Sequence, residues 1–323
     1  MRENKRWGRI AVGLVIAGLL LGAGALASVG FDFSRLSTAS YTTNTYIVDK
    51  PFQSITVIGD TEKIAFVPSE DGVCRVICRE EKTAPHTVRI DGDMLTIENT
   101  DSRAWHFINF SFFTDPPAVT VYLPGQAYGA LSVKASTGNL DIPADFSFDS
   151  IQASLTTGDI ACRASAKGAL ALQTSTGRII LSGVQAESVQ LKSSTGSIQV
   201  DETACSGSLE IHVSTGRTAL SSVTCGSLTS TGSTGSLALT GVIADGAMRL
   251  QRSTGSIRLD GCDAGEISAD TSTGSISGTL LTEKTFSAHS STGRVNVPGT
   301  AGGGRCSLTS GTGSISIEIK NGN

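Results

Sequence analysis

The segment Ser194-Thr195-Gly196-Ser197-Ile198-Gln199-Val200 decides the fold, because close copies of it recur through the second half of the chain. Its glycine recurs at positions 138, 158, 177, 196, 216, 235, 255, 274, 293 and 313, at spacings of 19 or 20 residues. A threonine precedes this glycine in all ten copies. A fixed period of this length indicates stacked repeats, because one such unit is too small to bury an apolar face alone.

Apolar and polar residues alternate on both sides of each glycine. In the quoted copy, Ile198 and Val200 follow the glycine by two and four residues, and Val189 precedes it by seven. This period of two predicts short strands with one buried side, and the glycine permits a sharp turn between them. We therefore predict an all-β chain in which residues 129–320 form a β-solenoid (β-helix) of about ten coils of 19–20 residues.

Residues 50–128 lack the triplet but also carry strand patterns. Residues 88–90 and 94–97 are strand-like and flank Asp91-Gly92-Asp93, which is typical of a hairpin turn. We expect an N-terminal β cap, or irregular first coils, that continues into the rod. Residues 30–49 are polar and rich in threonine, and we interpret them as a linker.

An apolar segment near the N-terminus predicts export. Residues 10–29 carry no charge and form a candidate transmembrane helix, because twenty helical residues span about 30 Å, the hydrocarbon thickness of a bilayer. Residues 1–9 form a basic flank, which predicts a cytoplasmic N-terminus and an extracellular C-terminal domain in a single-pass protein of the cell membrane. Ala25-Leu26-Ala27 also fits a signal-peptide cleavage site, so secretion after cleavage near Ala27 is the alternative.

Net charge limits the partners that the protein can bind, and the number of cysteines limits the disulfide bonds that it can form. The net charge is −4, although the first nine residues contribute +3, and such an acidic body disfavours nucleic acid as a partner. Seven cysteines cannot all pair within one chain, and they do not indicate a disulfide framework. Cys205 and Cys225 fall at the same repeat position on neighbouring coils, so a bridge between these two is left open.

Patterns that would indicate catalysis or metal binding are weak. The histidines have no triad-like or metal-ligand spacing: His86, His106, His212 and His289. Asp201 and Asp260 share a repeat position but lie three coils apart, whereas the paired carboxylates of a glycosidase lie about 5–9 Å apart. We therefore predict no enzymatic activity, no cofactor and no metal site, and keep a polysaccharide-active β-helix enzyme only as a remote alternative.

Two surfaces are candidates for binding. The position after the repeat glycine is polar in all ten copies and includes Arg178, Arg217 and Arg294, which we predict to form a binding face. Stacked coils would present this position as a ladder with repeated weak hydrogen bonds to a long polymer or protein strand, unless the ladder only keeps the rod soluble. The second candidate is an aromatic segment that could contact sugars or a membrane, or close the end of the solenoid: Trp105, Phe107, Phe110, Phe112 and Phe113.

Several motifs occur in a specific order. They are Phe52-x-x-Ile55, Phe66-Val67-Pro68-Ser69, Asp91-Gly92-Asp93 with Leu95-x-Ile97, Trp105, Val121-x-Leu123-Pro124 and the serial Ser-Thr-Gly repeats. This order resembles the bacterial "putative adhesin" family, a domain of unknown function, over residues 45–320. The resemblance implies an exported β-solenoid that is often membrane-anchored, with adhesion as its suggested role and no catalytic residues.

These patterns predict an exported, membrane-tethered, non-enzymatic β-solenoid that acts in cell-surface adhesion or envelope interaction. Its partner would be a cell-wall or host polymer, or another membrane protein. The alternative is an extracytoplasmic sensor or regulatory partner of another membrane protein in an envelope-stress response. Because the cytoplasmic part has only about nine residues, this alternative requires a partner that carries the signal.

Overall fold

The computed structural model describes residues 13–18, 20–21, 23–24, 41–82, 84–99, 117–299 and 302–320. The described residues before position 41 are helical, and those after it form strands and turns. Within these ranges, no helix has the length and apolar character that crossing a membrane requires. The predicted all-β solenoid is confirmed, but its ten glycine corners delimit about nine turns, one fewer than the predicted ten coils.

Among the described residues, seven strands precede the repeats and nineteen strands form them. The first seven are β1 (Tyr41–Val48), β2 (Ser54–Gly59), β3 (Lys63–Pro68), β4 (Cys74–Glu81), β5 (His86–Asp91), β6 (Met94–Asn99) and β7 (Ala118–Leu123). The repeat strands are β8 (Ala127–Thr137), β9 (Leu140–Ile142), β10 (Ser147–Thr157), β11 (Ile160–Cys162), β12 (Ser165–Ala166), β13 (Ala169–Thr176), β14 (Ile179–Ser182), β15 (Gln185–Ala186), β16 (Ser188–Thr195), β17 (Ile198–Asp201), β18 (Ala204–Thr215), β19 (Thr218–Thr234), β20 (Leu237–Thr254), β21 (Ile257–Thr273), β22 (Ile276–Leu280), β23 (Lys284–Ser290), β24 (Val295–Asn296), β25 (Gly304–Thr312) and β26 (Ile315–Ile319).

Successive coils stack in parallel and in register, so like positions of neighbouring repeats lie above one another. Ile160 pairs with Ile179, which pairs in turn with Ile198, and all three side chains are buried. The alternation predicted around Gly196 is confirmed here, since Ile198 and its partners two residues after the neighbouring glycines form a buried column. Each coil has one face before the glycine, one after it and a short third face such as β12 or β15. The side chains that point inward from the three faces form one continuous core.

The glycine corner is the most constrained part of each coil. In nine of the ten repeats this glycine has a φ between 128° and 150°, which L side chains rarely adopt. A Cβ atom on Gly196 would also lie 1.8 Å from the carbonyl oxygen of Gly177 on the previous coil. The backbone angle and the close approach therefore both exclude a side chain at this position.

Hydroxyl groups inside the core satisfy the carbonyl groups at several corners. Thr174 Oγ1 donates to Gly158 O at 3.1 Å, and Ser193 Oγ donates to Gly177 O at 3.3 Å. Three further buried or half-buried hydroxyls donate to a corner glycine in the same way: Thr271, Ser290 and Ser310. A buried carbonyl without a partner is costly, so these polar residues stabilise the corner from within.

One coil accommodates a buried arginine at this same position. The guanidinium of Arg252 donates to Ser230 O and Oγ and to Thr218 Oγ1, at distances of 3.1 to 3.2 Å. Gly232 leaves room for it, since a Cβ atom there would lie 3.2 Å from Arg252 Cζ. Burial lowers the pKa of Arg252 to about 10. Thr218 replaces the apolar residue of its column because it supplies an acceptor to this guanidinium.

At the N-terminal end the stacking order differs from the chain order. The coil of β2 and β3 lies between two other coils, because β2 pairs with β6 and β8 while β3 pairs with β7 and β9. Strand β5 pairs antiparallel with β6, and β4 pairs antiparallel with both β7 and β1. These antiparallel strands cover the end of the core.

The predicted linker 30–49 is therefore wrong for residues 41–48, which form β1. Strand β1 pairs with β4 along its whole length, from Tyr41 opposite Glu81 to Val48 opposite Cys74. Its alternate residues Tyr46 and Val48 pack against the core, a pattern hidden in the sequence because the same side of the strand continues with the polar residues Thr42 and Asn44 and because Ile47 is exposed. The rest of the predicted linker lies outside the described residues.

The C-terminal end shows a similar reversal. The last coil in the sequence, β25 and β26, lies between the coil of β21 and β22 and the coil of β23 and β24. The coil that contains Gly293 therefore ends the stack, although another coil follows it in the chain. Columns aligned from sequence assume that chain order and stacking order agree, and this assumption is wrong at both ends.

All seven cysteines are buried free thiols. Cys205 and Cys225 are register partners on neighbouring coils, as their repeat position predicts. Their sulfur atoms instead contact backbone carbonyl groups, with Cys205 Sγ 3.2 Å from Ser208 O and Cys225 Sγ 3.8 Å from Ile243 O. The thiols thus pack as small core residues in this structure.

We predict that Gly196→Ala lowers the free energy of unfolding by at least about 2 kcal/mol, because both backbone strain and the clash with Gly177 oppose the methyl group. The control is Gly241→Asn. Gly241 also has a positive φ, of 59°, but a Cβ atom there would lie 4.0 Å from its nearest neighbour, and asparagine tolerates this region. Urea unfolding followed by circular dichroism would compare the two, and equal losses would contradict the role assigned to the corner.

Candidate functional site

One corner of the solenoid carries a continuous exposed row of threonines, which we call the threonine ladder. Register pairs such as Thr157 with Thr176, and Thr176 with Thr195, hold its members above one another. With neighbouring strands about 4.8 Å apart, ten members extend over about 43 Å. The ladder consists of Thr137, Thr157, Thr176, Thr195, Thr215, Thr234, Thr254, Thr273, Thr292 and Thr312, all of which are exposed.

The ladder is exposed because the chain leaves the strand at the corner. Three residues before the glycine the side chain still points into the core, as Thr174 does, whereas the next two side chains both face outward. A serine or threonine usually precedes the ladder threonine, so two hydroxyl rows lie side by side. Each hydroxyl both donates and accepts hydrogen bonds, which suits contact with another polar chain.

The residues that follow the corner glycines form a second polar row beside the ladder, and this row contains the three predicted arginines. Arg178 Nη2 donates to Asp159 Oδ2 at 3.0 Å, and the backbone N–H of Arg178 donates to Asp159 Oδ1 at 2.7 Å. Arg217 and Arg294 are exposed. Arg178 therefore presents a partly neutralised charge, whereas Arg217 and Arg294 extend toward solvent.

The three arginines share one edge but do not form a continuous cationic stripe. Arg178 and Arg217 are two coils apart, or about 10 Å, and Arg294 lies about 24 Å beyond Arg217. The reversed C-terminal order places Ser314 next to Arg294, since Ile315 N donates to Arg294 O. The predicted aromatic patch (Trp105, Phe107, Phe110, Phe112 and Phe113) lies outside the described residues.

The described surface also contains open grooves away from the threonine ladder. The larger groove, of about 1020 Å³, lies at the N-terminal end, where residues 47–53 meet the turns before β4 and β6. The second, of about 490 Å³, follows the third face and includes Lys167, Glu187 and Asp245. Neither lining contains a histidine. Shallow walls of mixed polarity suit contact with a surface better than capture of one small molecule.

A buried acid–histidine cluster, formed by Glu62, Glu80 and His86, lies under the N-terminal cap. His86 Nδ1 is 2.7 Å from Glu80 Oε2, and His86 Nε2 is 3.3 Å from Glu62 Oε1. The backbone N–H of His86 also donates to Glu80 Oε2 at 2.6 Å. All three side chains are 2% exposed or less. Two carboxylates thus enclose one imidazole in a site without access to bulk water.

Neutral side chains from other strands donate further hydrogen bonds to the two carboxylates of the cluster. Asn44 Nδ2 and Tyr46 Oη donate to Glu80 Oε1 at 2.5 and 3.2 Å, and Asn99 Nδ2 donates to Glu62 Oε1 at 3.0 Å. The cluster therefore joins β1, β4, β5 and β6 to the corner between β2 and β3. Sequence spacing could not reveal it, because Glu62, Glu80 and His86 are 6 to 24 residues apart and belong to no repeat.

The surroundings favour the charged forms of all three groups. Burial opposes the imidazolium, but the hydrogen bonds and charges of Glu62 and Glu80 outweigh it and raise the pKa of His86. Burial also opposes both carboxylates, and their hydrogen bonds outweigh it and lower the pKa of Glu62 and of Glu80. Burial and the nearby Glu80 together raise the pKa of Tyr46 to about 12.

Cys78, Glu80 and His86 place three potential metal-ligand atoms within 4.8 Å of one another, a grouping that histidine spacing did not predict. A metal would require the thiolate form of Cys78. Burial, with Glu80 and Glu62 nearby, raises the pKa of this thiol to about 12. The oxygens of Glu80 already accept hydrogen bonds from His86, Asn44 and Tyr46. The arrangement fits a charged structural link better than a metal site.

We predict that this cluster makes stability depend on pH in two directions. The raised pKa of His86 gives a contribution that is complete below about pH 6.5 and is lost as pH rises through the folded-state value. The lowered pKa values of Glu62 and Glu80 give contributions that are present above about pH 4.3 and are lost as pH falls. Urea unfolding between about pH 4 and 9 should therefore show a maximum near pH 5 to 6 for this part of the stability.

His86→Gln should lower the free energy of unfolding at about pH 6 by about 3–5 kcal/mol, because two buried carboxylates lose their cation. It should also flatten the decline of stability at higher pH. His212→Gln is the matched control, since His212 is exposed and contacts Thr231 on the outer face. If both variants keep the wild-type pH profile, the cluster does not control stability in the way proposed.

The comparisons with known proteins place these features in one family. The family model described as Toastrack DUF4097 matches residues 52–216, just over half of the chain. A comparison with curated proteins found no match.

Three solved structures illustrate the fold likeness. A putative adhesin from Bacteroides fragilis is 15% identical with a TM-score of 0.41, over 86% of this chain and 97% of that one. A putative adhesin from Parabacteroides distasonis is 12% identical with a TM-score of 0.45, over 87% and 98%. A putative lipid binding protein from the same organism is 14% identical with a TM-score of 0.44, over 87% and 98%.

The matched segment begins just before β2 and ends at the repeat corner at Gly216, so it includes β2 to β7 and the Ser-Thr-Gly corner on which the resemblance was based. The family resemblance is confirmed, and the chain belongs to the Toastrack DUF4097 family.

Proposed function

We propose that this protein is an exported, membrane-tethered, non-enzymatic β-solenoid that binds an extended partner along the threonine ladder, in cell-surface adhesion or contact with the envelope. The observation that carries the proposal is the ladder itself, ten exposed threonines at the same corner of successive coils. A partner with its own repeat, such as a wall or host polysaccharide, meets many equivalent weak contacts there. Multiplicity then supplies an affinity that no single site provides.

The adjoining row adds charge to this surface. Arg217 and Arg294 are exposed, and Arg178 bridges to Asp159. A guanidinium binds carboxylates and phosphates through paired N–H groups, so these arginines favour an anionic polymer over a neutral one. The interior of the rod offers no competing site in its described part, because the three faces fill it with side chains.

Tethering is the second part of the proposal. The basic flank 1–9 and the uncharged segment 10–29 support a single N-terminal membrane span. Strand β1 begins at Tyr41, so about a dozen residues would separate the membrane from the solenoid. The rod would then project its ladder away from the membrane surface.

We predict that replacing Arg178, Arg217 and Arg294 together with serine weakens binding of the immobilised full chain to an anionic wall-polysaccharide fraction at least tenfold. The matched control replaces three exposed arginines outside this row, Arg249, Arg258 and Arg305, and removes the same charge. It should change the dissociation constant less than twofold. Equal weakening by both triple variants would mean that net charge, and not the corner row, governs binding.

Topology provides a separate test. Protease added to intact, wall-stripped cells should digest the rod, and the full chain should stay with the membrane fraction after an alkaline carbonate wash. Complete protection from the protease would contradict export. Release of a mature protein that begins at Ser28 would show cleavage after Ala27 and would replace the anchor with secretion.

A further inference from the structure

The two ends of the solenoid core are closed to different degrees. At the N-terminal end the inward residues of the outermost coil, including Leu95, Ile97 and Val121, are completely buried beneath the cap. At the C-terminal end the inward residues Phe286 and Ala288 are only partly buried. Val295 on the same coil is 40% exposed. The apolar residues of the last coil are therefore incompletely covered at the C-terminal end.

The backbone of the last coil is also available for pairing. Among the described strands, β23 pairs only with β25, and β24 pairs only with β26. Their outer edges thus present N–H and C=O groups toward solvent, and such an edge is a template for another strand. Charge does little to block it, because the inward Lys284 is paired with Asp263 at 2.7 Å.

We propose that the C-terminal end is a self-association surface, at which a second copy of this chain pairs its own β23 antiparallel across a two-fold axis. The exposed side chains of β23 are neutral and small or flat, namely Thr285, Ser287 and His289, so two edges approach without like-charge repulsion. A two-fold contact uses the same surface on both copies and closes on itself. Because both copies use the same edge in this contact, the product is a dimer and not a filament.

The dimer gives the adhesion proposal a specific partner. If each chain is tethered through its N-terminus, which rests on the proposed function above, then two rods joined at their C-terminal ends have their tethers at opposite ends. Such a pair spans between two membranes and not within one. The receptor for the tip of this protein is then a second copy on a facing cell.

Cysteine cross-linking of the full chain in detergent tests the pairing directly. Thr285→Cys, Ser287→Cys and His289→Cys, made one at a time, should yield at least one disulfide-linked dimer when diamide supplies the oxidant. The controls Glu266→Cys, Ser268→Cys and Asp270→Cys occupy the same columns on β21, an inner coil, and should stay monomeric. Cross-linking of the two sets to the same extent, or of neither, would overturn the proposal.

Sedimentation equilibrium tests the apolar part of the contact without an introduced thiol. The wild-type chain should dimerise reversibly, and Val295→Asp should raise the dimer dissociation constant at least tenfold. Ile243→Asp is the matched control, because Ile243 is 41% exposed on a middle coil, and it should leave the constant within twofold. A wild-type chain that is monomeric at about 100 μM, or equal effects of both variants, would overturn the proposal.

Cells that display the chain separate this inference from the proposed tethering. If the purified protein dimerises but displaying cells do not aggregate, the interface stands and the membrane-bridging role fails. If Val295→Asp abolishes both dimerisation and aggregation while polysaccharide binding is unchanged, tip pairing and ladder binding are independent functions of one rod.

Discussion

The close approach of consecutive corner glycines is the constraint on which the rest of the structure depends. Gly196 lies so near the carbonyl oxygen of Gly177 that no side chain fits between the coils. This contact fixes the register, since a slip of one residue would place a threonine or a polar residue in the same space. Once the register is fixed, apolar columns meet inside and hydroxyl rows align outside. The register that the glycine corner fixes therefore produces both the buried core and the exposed threonine ladder.

The polar groups inside the core are local adjustments to this scheme. Thr174 and Ser193 bond the carbonyl groups that the corner leaves unpaired. Arg252 fills the same position with a cation and is tolerated because Thr218 and Ser230 supply acceptors. The cap, where no repeat column continues, also contains buried polar groups. These are the charged side chains of the acid–histidine cluster, which compensate one another. Hydrogen bonds compensate the buried hydroxyls and Arg252, and in the cluster His86 Nε2 has only the charge of Glu62, 3.3 Å away, as compensation.

The sequence predicted the structure correctly wherever one coil resembles the next. Period and alternation predict the solenoid, its buried columns and the exposed row that holds Arg178 and Arg217, because those features follow from local spacing. They could not predict β1, whose inward side is half polar because Thr42 and Asn44 share it with Tyr46 and Val48. Nor could they predict the cluster of Glu62, Glu80 and His86, whose members meet only through antiparallel pairing. The placement of β25 and β26 inside the stack was equally out of reach, because alignment gives positions within a coil and not the order of coils.

The insertion of terminal coils at both ends has a consequence for how the chain assembles. Synthesis proceeds from the N-terminus, so the coil of β23 and β24 emerges before β25 and β26, the only strands with which it pairs within the described part of the chain. The coil of β23 and β24 therefore has no paired strand until β25 and β26 have been synthesised and have inserted between it and β21. The coil of β2 and β3 likewise completes its contacts only after β6 to β9 exist. The coils thus cannot stack one after another from one end in the order of the chain, because the coils at each end complete their contacts last. A chain truncated before β25 would lose two coils instead of one.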